Sequence, residues 1–150
     1  MLDLRVVDDA DMRALGGKLA FLARAGDVIA LEGGLGAGKT TLARGLLSAL
    51  GLEEDAPSPS FALVQPYEPP LVTLPVAHVD LYRLDDDADV RELGLEDYLT
   101  DSVLIIEWPE RLGIRLWDHS LILSIEVEAD GTRSLTAQVP DAWRDRWPPK

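Results

Sequence analysis

Val28-Ile29-Ala30-Leu31-Glu32-Gly33-Gly34-Leu35-Gly36-Ala37-Gly38-Lys39-Thr40-Thr41 is the stretch on which the fold turns. Its first four residues are apolar, with two β-branched side chains, and read as a buried strand. After Glu32, the eight residues from Gly33 to Thr40 match G-x-x-x-x-G-K-[ST] at every specified position. The glycines let the backbone turn tightly and approach phosphate oxygens without a Cβ between them. Successive N–H groups then form an anion nest, and the helix that follows aims its positive end at the same point. Gly33, Leu35, Gly36, Ala37, Gly38, Lys39, Thr40 and Thr41 are therefore the expected nucleotide-binding residues. Lys39 is placed to reach the β- and γ-phosphates, Thr40 to offer its hydroxyl to Mg²⁺, and Thr41 to bond the α-phosphate.

Upstream, residues 4–7 read as a short strand. Asp8, Asp9 and Asp11 offer N-caps for a helix to about Arg24, whose Met12, Leu15, Leu19 and Leu22 fall at helical spacing. Downstream, the phosphate-loop helix covers about 38–50 and stops at Gly51. Residues 61–65 and 74–81 read as strands joined through a Pro-rich turn at 66–70. A helix starting at Asp85 runs to about Leu93, with a short turn at 95–99. Residues 103–106 form another buried strand. Residues 121–127 and 134–139 alternate and flank Asp130-Gly131, a hairpin signal. The expected fold is a single α/β, P-loop NTPase-like domain over residues 1–142 with a mixed parallel and antiparallel sheet, since a hairpin is incompatible with a purely parallel one. Residues 143–150 read as a loose, Trp-bearing tail.

A P-loop enzyme needs an acidic residue at a strand end, near its metal. Glu107 ends Val103-Leu104-Ile105-Ile106-Glu107, and Asp80 ends Val76-Ala77-His78-Val79-Asp80. Alternation puts Val76, His78 and Asp80 on one face and Ala77, Val79 and Leu81 on the other. Either acid suits the role. Lys39 and Thr40 are expected at the phosphates and the metal, and the strands alone leave the choice between Asp80 and Glu107 open. Ser58 and Ser60, in a Pro-rich loop after the phosphate-loop helix, are expected switch hydroxyls that sense the γ-phosphate. His78 reads as a packed or hydrogen-bonded histidine, and His119 carries no assignment.

The formal net charge is −13. Phosphate backbones are held by Lys/Arg surfaces, so direct RNA or DNA binding is not expected. There is no cysteine, which excludes disulfides and thiolate metal sites, and two isolated histidines make no zinc set. No apolar run approaches the ~18–20 residues of a membrane span. The opening MLDLRVVDD lacks a basic start and an h-region, so no signal peptide is read and a cytoplasmic location is expected.

Five ordered motifs carry a resemblance: GGLGAGKTTLARGLL from Gly33, SPSFALVQPY from Ser58, HVDLYRL from His78, RELGLEDYL from Arg91 and IIEWPERL from Ile105. The chain resembles the TsaE (YjeE) family, bacterial ATPases needed for N6-threonylcarbamoyladenosine (t6A37) modification of tRNA. The resemblance implies slow ATP hydrolysis with Mg²⁺. It implies TsaB and TsaD as protein partners, with tRNA reached only through their complex. It places the family's P-loop Lys and Thr on Lys39 and Thr40, its essential aspartate on Asp80 and its Mg²⁺-binding glutamate on Glu107, with Trp108 beside the site. Two positions depart from the family: Gly34 stands where Asp is usual, and Ser60 replaces the threonine of the usual SPT while keeping the hydroxyl.

Three other readings share the loop. A small-molecule kinase needs an acceptor site and an Arg-bearing lid, for which only Arg111 and Arg115 stand as candidates. A GTPase normally reads guanine with Asn-Lys-x-Asp, and this chain contains no asparagine. A nucleotide-gated adaptor would bind ATP without turnover, and the two strand-end acids weigh against it.

Overall fold

A computed structural model describes residues 2–54, 59, 63–84, 90, 92–113 and 116–149. The elements are β1 (Leu2–Val6), α1 (Asp9–Leu22), β2 (Val28–Gly33), α2 (Lys39–Ala49), β3 (Val64–Tyr67), β4 (Val76–Asp80), the short α3 (Leu95–Tyr98), β5 (Val103–Glu107), β6 (Leu121–Val127) and β7 (Arg133–Gln138). The strands form one sheet in the order β1-β7-β6-β2-β5-β4-β3. Its centre is parallel: β2 pairs with both β5 and β6, and β4 pairs with β5. Its margins are antiparallel, β1 on β7 on β6 at one side and β3 on β4 at the other. The mixed α/β architecture is thus the expected one.

Burial explains the strand sequences. Val28, Ile29, Ala30 and Leu31 are all fully buried, because β2 is covered on both faces. On one face Ile29 and Leu31 join Ile105, Leu123 and the α2 residues Leu42, Leu46 and Leu47 in the larger core. On the other, Val28 joins Ala77, Val79, Leu104 and Ile106 beneath Leu95 and Leu112. β6 is covered on one face only, so Leu121, Leu123 and Ile125 are buried while Glu126 is exposed.

Of the three candidate caps for α1, Asp8 takes the position. Its Oδ1 accepts from Asp11 N–H at 2.8 Å, while Asp11 Oδ2 accepts from Val7 N–H at 3.1 Å. α1 lies against α2, and its Met12 sits under Gly38, where an added Cβ would come within 2.9 Å of the Met12 methyl.

Two expectations are corrected. Pro66 belongs to β3, opposite Ala77, not to a turn. β3 is an edge strand, where a residue without an N–H is tolerated, and the turn comes later, with Leu71 N–H donating to Glu68. Residues 143–149 are not a loose tail. Trp143 is fully buried and Trp147 nearly so. Arg146 grips Asp27 through both guanidinium ends, at 2.7 and 3.0 Å, and stacks 3.9 Å from the Trp143 ring. Indole burial and a bidentate ion pair tie this segment to the α1–β2 turn. The helix expected from Asp85 falls largely on residues outside those described.

Candidate functional site

The site lies at the carboxyl ends of the parallel strands, the usual ligand position in open α/β sheets. β2 ends at Gly33, and the chain then turns through the glycine loop into α2. Gly38 makes the turn in the left-handed region (φ 112°, ψ 12°), which only glycine enters cheaply. No side chain caps α2, so the N–H groups of its first turn face the cleft with the helix dipole behind them.

Strand register brings the acids to this point. Asp80 and Glu107 are direct partners at the ends of β4 and β5, and Glu107 also neighbours Leu31 of β2. The alternation read from the sequence holds. Val76 lies in the core on the α2 side, and Ala77, Val79 and Leu81 lie in the opposite core. His78, Asp80 and Glu107 therefore face α2, and all three are buried.

The side chains converge. Thr40 Oγ1 lies 3.0 Å from both carboxylate oxygens of Glu107, to which its one proton is donated. His78 Nε2 donates to Glu107 Oε2 at 2.6 Å, since a carboxylate can only accept. Its Nδ1 finds no partner among the described residues. Asp80 Oδ1 accepts from Tyr82 N–H at 2.9 Å. Lys39 folds back on its own loop, donating to Gly33 O at 2.5 Å and Gly34 O at 2.9 Å. Its ammonium also sits 4.1 Å from the centre of the Trp108 ring, a cation–π contact. Burial holds the Lys39 pKa below its ordinary value, against the raising pull of Glu107, Glu110 and Asp80. Trp108 adopts a left-handed backbone (φ 61°) and stacks on Tyr82 with centroids 4.8 Å apart. That unusual φ turns the indole back over the loop.

These groups line a cleft of about 370 Å³ that includes Leu35 through Thr41, Asp80, Glu107 and Trp108. Gly33 is not among these lining residues; its carbonyl accepts from the Lys39 ammonium. Thr40 and Glu107 supply hard oxygen donors side by side, the type Mg²⁺ takes alongside phosphate oxygens and waters. Among the described residues no cluster of three or more His, Cys, Asp or Glu could hold a metal by itself.

Ser58 and Ser60, the expected switch hydroxyls, lie outside the described residues, as does Arg115. Arg111 donates to Tyr82 O at 3.0 Å. An aspartate at position 34 would fit, because a Cβ on Gly34 meets nothing within 4 Å. His119 bonds to Gly26 O at 2.8 Å, away from the cleft. The sequence reading missed Arg133, which also lines the cleft. No local signal marks it, since it opens an ordinary hairpin strand.

Fold and site together define an α/β protein with a P-loop NTPase-like fold. The family model described as threonylcarbamoyl adenosine biosynthesis protein TsaE matches residues 6–135. The chain belongs to the TsaE family. It is 43% identical to the tRNA threonylcarbamoyladenosine biosynthesis protein TsaE of Streptomyces coelicolor, over 77% of this chain and 78% of that one. The Bacillus subtilis protein of the same description is 34% identical, over 90% and 84% of the two chains. A crystal structure of Bacillus subtilis YdiB superposes with a TM-score of 0.80 at 29% identity, covering 96% of this chain and 88% of that one. No helix among the described residues is long and apolar enough to cross a membrane.

Proposed function

We propose that this chain is a Mg²⁺-dependent ATP-binding and ATP-hydrolysing protein of tRNA threonylcarbamoyladenosine biosynthesis, acting on a TsaB–TsaD complex rather than on tRNA. The observation that carries the reading is the convergence of Lys39, Thr40, Glu107 and Asp80 on the uncapped start of α2. Family membership supports the pathway. The net charge of −13 supports a protein partner over a direct hold on tRNA.

Lys39 is held by two carbonyls and an aromatic face, and its burial makes a triphosphate a better partner than either. In this reading it swings to the β- and γ-phosphate oxygens, and the loop N–H groups bind the oxygens behind them. Thr40 and Glu107 hold Mg²⁺, which when bound neutralises charge on the phosphates. His78 fixes the Glu107 carboxylate from behind through its Nε2–H. Asp80, one strand over, accepts a hydrogen bond from the attacking water and orients it.

The test is ADP release by the purified chain with and without Mg²⁺. It is paired with calorimetric titration of a TsaB–TsaD complex in a non-hydrolysable ATP analogue and in ADP. Hydrolysis that needs Mg²⁺, with tighter partner binding in the analogue, supports the reading. No nucleotide binding, or direct salt-sensitive tRNA binding by the isolated chain, would overturn it.

The two acids should fail differently. Glu107→Ala and Thr40→Ala are expected to share a rise of at least about tenfold in the Mg²⁺ concentration for half-activity. Asp80→Asn should keep that midpoint and its nucleotide affinity while turnover falls by about 10²-fold or more. A Mg²⁺ titration of all three variants checks this. An unchanged midpoint in Glu107→Ala would remove it as a ligand, and equal losses of binding and turnover in Asp80→Asn would place that residue in ground-state binding.

A further inference from the structure

Arg133 opens β7, 96 residues after Ala37, yet its guanidinium reaches the phosphate loop. Nε donates to Ala37 O at 3.3 Å, and a terminal nitrogen donates to Gly36 O at 3.3 Å. The other terminal nitrogen bonds Gly131 O in the β6–β7 turn, which anchors the side chain to its own hairpin. One planar fork thus ties two consecutive loop carbonyls to a turn of the sheet, a bridge that a lysine point charge cannot reproduce.

The consequence follows from peptide geometry. In a trans peptide the C=O and N–H point in opposite directions. Holding Ala37 O toward Arg133 therefore turns the Gly38 N–H the other way. Gly38 immediately precedes α2 and lies in the left-handed region, so its own backbone places little restraint on this peptide plane. The cleft is also poor in positive charge. Among the described residues, Asp9, Asp80 and Glu107 line it against Lys39 and Arg133.

We infer that Arg133 is a positioning residue for the phosphate loop, fixing the 37–38 peptide so that Gly38 N–H meets the phosphates of a nucleoside di- or triphosphate. This rests on the nucleotide-binding reading above. Because the fixed N–H serves phosphates common to ADP and ATP, both ligands depend on it. The γ-phosphate contributes little to that dependence.

The test is calorimetric titration of ATP and ADP, with Mg²⁺, into the full chain and its Arg133→Gln and Arg133→Lys variants, with thermal unfolding of each. Arg133→Gln is expected to raise the Kd of both nucleotides about tenfold. In turnover assays its loss should fall on KM far more than on kcat. Arg133→Lys should recover only a small part of the affinity, because it restores charge but not the two-carbonyl bridge. Full rescue by lysine would reduce Arg133 to a point charge and overturn the inference, as would wild-type affinity in Arg133→Gln. A lowered unfolding temperature with unchanged Kd would assign it to the hairpin alone. If the unmodified chain binds neither nucleotide, the functional reading itself fails and this inference with it.

Discussion

Lys39→Ala is expected to abolish ATP hydrolysis and weaken nucleotide binding by at least about a hundredfold. Lys39 is the one ammonium at the head of α2, and it is almost entirely buried. Burial lowers its pKa, so the charged form is held at a cost in the free protein, with Glu107, Glu110 and Asp80 only partly offsetting it. A triphosphate would relieve that cost and gain charge-assisted hydrogen bonds, whereas alanine would leave Arg133 as the remaining cationic lining side chain, among the described residues, to oppose the phosphates and the nearby Asp80 and Glu107. The loss should appear in both Kd and kcat, because the ammonium contacts phosphate before and during transfer. Calorimetry and an ADP-release assay check it, with thermal unfolding to confirm that the variant is folded. Wild-type hydrolysis in this variant would remove the site from the chemistry altogether.

A second large effect is expected far from the phosphates. Gly45→Ala should destabilise the fold by upward of about 3 kcal/mol, enough to leave little of the chain folded at moderate temperature. Gly45 on α2 faces the backbone of α1, and a Cβ there would stand 2.1 Å from Arg13 O. Gly16 on α1 is its reciprocal, with a Cβ position 2.1 Å from Leu42 O. The clash is with backbone on both sides, so no rotamer change relieves it and the helices must separate. Separation would open the layer of Leu19, Leu42 and Leu46 and shift α2, whose first turn lines the candidate nucleotide cleft. Gly17→Ala is the control. Its Cβ would meet only Ala49 Cβ at 3.7 Å and Gly45 O at 3.9 Å, ordinary contacts. It should be neutral or stabilise by roughly 0.5–1 kcal/mol, through the alanine's better helix propensity. Urea unfolding of the three chains decides it. Similar midpoints for Gly17→Ala and Gly45→Ala would refute the close helix crossing.

The phosphate loop was legible because its information is local. Glycine positions, the lysine and the two threonines lie within nine residues, Gly33 to Thr41, so spacing alone places them. The strand-end acids were legible for a similar reason: an apolar run that stops on Asp80 or Glu107 announces a strand end and the face each residue takes. Less came through where two elements compete for the same letters. Pro66 reads as turn chemistry, and only its place opposite Ala77 on an edge strand shows why proline is tolerated there. Trp143 to Lys150 reads as a polar tail because its prolines and charges are visible and its partner, Asp27, is remote in sequence.

By itself, then, the sequence determined the α/β class, the mixed sheet, the position of the glycine loop and the two strand-end acids that face it. Tertiary structure decided which groups meet. Thr40 and Glu107 stand 67 residues apart and touch because α2 crosses the ends of β2 and β5 in one register. A one-residue slip in β5 would turn Glu107 to the opposite face. The same dependence on register sets His78 behind Glu107, and the length of the β6–β7 hairpin brings Arg133 over Gly36 and Ala37. Periodicity and turn chemistry are properties of neighbouring residues, and a sequence displays them directly. Convergence of side chains is a property of how separate strands align, and that is settled only when the two cores on either side of the sheet are packed.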